Sequence, residues 1–297
     1  MNIINPYRFG GRAPAFTTTW NVTSALTIPT NGAGYNCDVD WGDGTVTSHS
    51  GTAPTISHTY GSAGIKTVTI TGDFPYFYLN NNAAMDTLLL TVEQWEGHTF
   101  ASIASSFYGA SNLTTLDSVP FEGVGSITDF SQTWRGCSSL TSFPLLDTSS
   151  GTSFNKAWLN CPSLTSFPAN FFDSWNPSSI LSGVFNATWD GCSSLTSFPA
   201  NFFDTWNPSS ILSGVFNGTW DGCSSLTNTS VENILKSIDT SGKYATNDGT
   251  SGGTVLADPV IDIDYNAATG ALTAATTTAI TNLKAKSWGI TINGVLQ

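Results

Sequence analysis

Residues 161–191 and 192–222 are one 31-residue block written twice, differing only at Pro162/Ser193, Ser174/Thr205 and Ala187/Gly218. A fixed period in this range predicts stacked units, each burying its apolar face only against its neighbours. The period runs beyond the pair. The pattern aromatic-x-x-Cys-x-x-Leu-Thr occurs as Trp134/Cys137/Leu140, Trp158/Cys161/Leu164, Trp189/Cys192/Leu195 and Trp220/Cys223/Leu226. A degenerate earlier copy, Phe107/Ala110/Leu113, has alanine in place of cysteine, and successive anchors are 27, 24, 31 and 31 residues apart. Unequal steps mean loops that vary between packed positions that do not.

Within each copy, Leu-Thr leads into a short apolar segment ending at proline: Ser142-Phe143-Pro144, Ser166-Phe167-Pro168, Ser197-Phe198-Pro199. This predicts a short strand or extended turn, stopped by the proline. Upstream, Ser182–Trp189 spaces Phe185 and Trp189 at i and i+4, which predicts one face of a short helix. Trp134, Trp158, Trp189 and Trp220 are expected in the core. Cys137, Cys161, Cys192 and Cys223 have no His or second Cys within their repeat, so a zinc site is not expected. Adjacent strands would permit a disulfide between them and stacked helices would not; buried, reduced thiols acting as small hydrophobes are the preferred reading. The motif resembles the BspA-like leucine-rich repeats of bacterial and viral surface proteins over residues 79–228. That resemblance implies a leucine-rich-repeat solenoid, with tryptophan mostly standing where the family has phenylalanine.

Ahead of the repeats, Ala25–Ile28, Tyr35–Trp41, His58–Tyr60 and Ile65–Ile70 read as short strands separated by turns, Asp43-Gly44 among them. The string Val39-Asp40-Trp41-Gly42-Asp43-Gly44-Thr45, then His58-Thr59-Tyr60, then Gly64–Ile70 resembles the polycystic-kidney-disease (PKD) domain, an immunoglobulin-like module. The resemblance implies Trp41 in the core, a turn at Asp43-Gly44 and Tyr60 closing the sandwich. Asp38, Asp40 and Asp43 could gather a Ca²⁺ ion, but turn chemistry and exposed strand positions are the preferred reading. After the repeats, a helix N-capped by Ser230, a strand at Val260–Asp264, a helix near Thr273–Lys286 and a strand at Gly289–Ile292 suggest a cap, with Asp262 and Asp264 on the wet face of a strand. The expected fold is α+β: an arm (1–15), a PKD-like β-sandwich (16–78), a BspA-type solenoid (79–228) and a C-terminal α/β cap (229–297).

Charge narrows the partners. The net charge is −12, only nine residues are Lys or Arg, and charged residues make up 10% of the chain, so the polar surface comes from Ser, Thr, Asn and Gly. A phosphate-tracking groove needs clustered cations, so nucleic acid is not an expected partner. No apolar run approaches a bilayer span, so no membrane insertion is expected. The first ten residues lack a basic start and an apolar core, so they do not read as a secretory signal. With an outward-facing composition, this suggests a bacteriophage virion protein made in the host cytoplasm and placed on the particle surface, as a tail-fibre or decoration component. Its expected partners are other virion proteins and a host-surface glycan or protein, and a homo-oligomer is compatible with this layout. A bacterial cell-surface adhesin is the alternative, and a polysaccharide depolymerase the second. No catalytic constellation, metal or cofactor is expected: His49, His58 and His98 show no metal spacing and sit beside no nucleophile motif. Candidate surface-binding residues are Trp175 and Trp206, with Asn176 and Asn207, because aromatics rimmed by amides suit stacking on sugar rings, although the preferred reading of the two tryptophans is that they cover their own loop's small core. Asn5, Pro6, Tyr7, Arg8 and Phe9 are the candidate virion anchor.

Overall fold

The computed structural model describes residues 14–95, 97–117, 126–168, 171, 175, 183–207, 214–246, 251 and 260–297. Seven strands come first: β1 (Phe16–Val22), β2 (Ala25–Ile28), β3 (Ala33–Asp40), β4 (Val46–Thr52), β5 (Ile56–Thr59), β6 (Gly64–Asp73) and β7 (Leu89–Gln94). They form a five-stranded antiparallel sheet in the order β4-β3-β6-β1-β7 and a separate β2-β5 pair. Alternation decides which face is wet. Strand β3 buries Tyr35, Cys37 and Val39 while exposing Asn36, Asp38 and Asp40; β1 buries Phe16, Thr18, Trp20 and Val22. The Trp41 ring stacks on His58 at 5.1 Å, and the Tyr60 hydroxyl donates to the Trp41 carbonyl at 3.1 Å. The fifth strand, β7, comes from the stretch that the sequence assigns to the repeats. It pairs with β1 from Thr17↔Gln94 to Trp20↔Leu89 and, on its other side, bridges Thr91 to Thr115. The sheet edge is thus the first layer of the stack that fills the middle of the chain.

That stack corrects the expected architecture. Among the described residues the protein is mostly β, with ten strands in three sheets and two α-helices, and no leucine-rich-repeat solenoid of helices and strands is present. From Gly97 to Thr227 the described backbone consists of turns and isolated parallel bridges, Asp129↔Ser153 and Ser166↔Ser197 among them. The helix expected around 182–189 fails because every fourth residue is left-handed: Gly183 (φ 64°), Ala187 (48°) and Gly191 (73°). A left-handed residue ends an α-helix. Alternate amides instead reach the next copy: Phe185, Ala187, Trp189 and Gly191 donate to the carbonyls of Val215, Asn217, Thr219 and Asp221 at 3.1, 2.8, 3.0 and 2.8 Å. The amides between them close local turns, Asn186 to Gly183 at 2.9 Å and Thr188 to Phe185 at 3.2 Å. A ribbon of four-residue turns returns to the same face as often as a helix does. That shared period is why Phe185 and Trp189 imitate one.

The last segment contains α1 (Asn228–Thr240), β8 (Val260–Ile263), α2 (Ala274–Ala285), β9 (Gly289–Ile292) and β10 (Val295–Leu296). Helix α1 begins earlier than the sequence suggests. Thr227 is its N-cap, and Ser230 is buried inside it. The buried hydroxyls serve the preceding layer. Ser230 Oγ accepts from the Phe198 amide and donates to the Thr196 carbonyl, both at 3.1 Å; Ser237 Oγ accepts from the Phe203 amide at 2.6 Å and donates to Asp204 at 2.7 Å. Beside α1, β8 continues the stack through a parallel bridge from Ile263 to Trp220, then pairs parallel with β9. One apolar cluster runs from Phe16 to Ile292. Among the described residues no helix is long and apolar enough to cross a membrane.

Candidate functional site

The stacked turns sort each repeat's side chains into columns. Trp134, Trp158, Trp189 and Trp220 lie fully buried, one over the next, with centroids 5.3, 5.8 and 5.8 Å apart and interplanar angles of 8°, 2° and 15°. Phe143, Phe167 and Phe198, the phenylalanines of the three Ser-Phe-Pro segments, stand perpendicular to the indoles beside them. Among the described residues the four indole N–H groups have no oxygen or nitrogen partner, which leaves a weak contact with these rings as the available one. Next to the indoles run Cys137, Cys161, Cys192 and Cys223, all buried and unoxidised. Each thiol donates to a carbonyl one layer back, to Phe107, Trp134, Trp158 and Trp189 at 3.3, 3.1, 3.2 and 3.1 Å. Burial pushes all four thiols well above the usual range, so they are packing groups and poor nucleophiles.

One outward face is built almost wholly from hydroxyls. Thr114, Thr165 and Thr196 each donate both the backbone amide and Oγ1 to the same carbonyl one layer back. For Thr165 and Thr141 the two distances are both 3.1 Å; for Thr196 and Thr165 they are 3.0 and 3.2 Å. Thr141, Thr165 and Thr196 are exposed, and Ser138, Ser139, Ser163, Ser193 and Ser194 flank them at partly or fully exposed positions. Because the Oγ1 hydrogens are committed to the backbone, the hydroxyl rotors are held in one orientation. Acceptor lone pairs and methyls face solvent. Sequence reasoning missed this face because it weighed aromatics and carboxylates; the signal was the Ser-Ser-Leu-Thr run after each repeat cysteine but Cys161.

Trp175 and Trp206 are not at the surface. Both are 1% exposed. The Trp175 indole donates to the Gly151 carbonyl at 2.7 Å and packs edge-on against Phe185 at 5.1 Å; Trp206 lies 5.4 Å from Phe216. The sugar-stacking role proposed for these rings is therefore corrected: the loop folds them inward because a large indole gains more from burial than from exposure. Asn207 is exposed, whereas Asn176 lies outside the described residues. So does the candidate anchor of Asn5, Pro6, Tyr7, Arg8 and Phe9.

No protein-family model, curated protein or solved structure matches this chain.

The titratable groups mostly serve the fold. Asp40 and Asp43 each accept from a backbone amide two residues on, Gly42 at 2.9 Å and Thr45 at 3.0 Å, and Asp38 accepts from Ser48 at 2.5 Å. His58 Nε2 meets Asp43 at 2.7 Å, holding that carboxyl below its ordinary value. His49 bonds Thr47 and buried His98 bonds the Phe74 carbonyl. Among the described residues no three His, Cys, Asp or Glu side chains converge as metal ligands. Asp190 is raised by burial and then by Asp221, with Lys156 opposing. Asp264, read as a wet-face residue, instead accepts from the Gly222 amide at 3.0 Å, and with Asp221 and Asp262 it lines a cavity of about 230 Å³.

Proposed function

We propose that this chain is a non-enzymatic structural protein of a bacteriophage virion, a tail-fibre or surface-decoration component whose hydroxyl face meets a host-surface glycan or protein. What supports this reading is the equivalence of the two copies. Thr165 and Thr196 make the same pair of bonds to the layer behind, so each inserted block lengthens an identical neutral face by one unit. Such a face loses little freedom on contact, because the hydroxyls are already held, and an uncharged surface suits a neutral hydroxylated ligand. Recognition passes from the buried tryptophans to the threonine and serine positions.

The test has two arms. Purified particles of the host phage are examined for the chain by mass spectrometry, and its absence from them refutes the virion assignment. Separately, the full chain and a T165K/T196K variant are applied to host cells and to an array of neutral glycans. Retention by the native chain and its loss in the variant is expected; equal retention refutes the assignment of the face.

A further inference from the structure

In one column of the stack the amides that join successive turns all point the same way. In the column Gly109, Gly136, Asn160, Gly191 and Gly222, the first four amides donate forward to the carbonyls of Arg135, Leu159, Asp190 and Asp221, each at 2.8 Å. Gly222, the last, donates to the Asp264 carboxylate at 3.0 Å. The column therefore has a donor end, closed by Asp264; at its start the Tyr108 carbonyl accepts from the Asn81 amide at 2.8 Å, and a second carboxyl is packed against Gly109. That carboxyl is Asp86. A Cβ built on Gly109 would lie 2.7 Å from Asp86 Oδ2 and 3.0 Å from Asn81 Oδ1, so both oxygens crowd the same point.

Asp86 is 8% exposed, and its Oδ1 is enclosed with no hydrogen-bond partner among the described residues. Among the described residues no cation acts on it. Asn81 and Asn82 come from its own turn, the Gly109 backbone from the first layer, and the Cys137 thiol from the next. Arg135, the cation of that next layer, lies over the Tyr108 ring at 4.6 Å and donates to Gln132 at 2.7 Å. A buried carboxylate oxygen without a partner is costly, whereas the neutral acid carries no charge to desolvate.

We infer that Asp86 is a proton-operated latch: as the neutral acid it closes the junction between the N-terminal sheets and the stacked turns, and as the carboxylate it loosens that junction. The position is suited to this. Its turn is tied to the sheets by the Asn21 amide on the Leu88 carbonyl at 2.8 Å and to the stack by the Asn81 amide on the Tyr108 carbonyl, also at 2.8 Å. Burial raises the Asp86 carboxyl, with the Asn82 amide opposing. A raised carboxyl stabilises the folded chain fully below its unfolded value, near 3.9, and that contribution disappears as pH rises through the folded value.

The full-length protein is used throughout. The Asp86 carboxyl carbon is followed by NMR against pH; an inflection above the ordinary aspartate range is expected, and one at or below about 3.9 overturns the inference. Hydrogen exchange at the Asn81 and Gly109 amides is followed over the same range. In the native chain it should accelerate several-fold beyond the base-catalysed trend through that inflection, and in D86N it should not; superimposable profiles overturn the latch. D86N should also melt a few degrees above the native chain at pH 7.5 and level with it at pH 4. If D86N does not fold, the native carboxyl titration decides alone.

Discussion

Excising residues 192–222 tests the stacked-turn reading most directly. The cut joins Gly191 to Cys223, and nearly every contact of the lost copy has a replacement of the same type. Trp189 takes the place of Trp220 against Ile263, and the Gly191 amide takes the place of Gly222 at Asp264. Helix α1, which docks Ser230 on Thr196 and Phe198, would meet Thr165 and Phe167. What is lost is one layer with one interface. At about 0.05–0.15 kcal/mol per residue, 31 residues correspond to roughly 1.5–4.5 kcal/mol and a fall in melting temperature on the order of 10 °C. The denaturant slope should fall by about one-tenth, in proportion to the surface no longer exposed. Guanidinium titration followed by tryptophan fluorescence, with calorimetry, measures both. A chain that stays folded with a single transition and these smaller values fits the reading. Aggregation, loss of the transition or two separate transitions would refute it, because the copies would then hold non-equivalent places.

Four further outcomes rest on particular contacts. Gly191→Ala should cost about 1–3 kcal/mol by denaturant melting, since φ is 73° and the new Cβ would lie 2.5 Å from Asn160 Oδ1; Gly44→Ala, with φ 91° and open space around it, should cost less. All five cysteines should resist a thiol reagent in the native chain and react in denaturant, and fast labelling of any one would contradict their burial. Asp43→Asn should lower stability near neutral pH and leave it unchanged at pH 2, because a lowered carboxyl contributes above its unfolded value and loses that contribution as pH falls through the folded one; thermal melts across pH 2–7 test the sign. Trp175→Ala should destabilise by about 3–5 kcal/mol, as a core truncation does, whereas a surface role predicts almost no change in the denaturation midpoint.

Much of this protein was legible in the chain itself. The duplication and the Trp/Cys/Leu anchors mark a stacked core, the Asp43-Gly44 turn and the alternation of Tyr35, Cys37 and Val39 mark a half-buried strand, and the low share of charged residues marks a surface built mostly from Ser, Thr, Asn and Gly. These are one-dimensional properties, since period, alternation and charge survive without knowledge of where the backbone goes. The backbone conformation inside each repeat was settled only by tertiary structure. A helix and a ribbon of turns place residues 185 and 189 on the same face, and only left-handed geometry at Gly183, Ala187 and Gly191, held by amides donating to the next copy, separates them. The recruitment of β7 to the N-terminal sheet and the enclosure of Asp86 behind Gly109 were equally out of reach. Each depends on partners distant in sequence, and a residue's neighbours across a fold are set by the three-dimensional path of the chain.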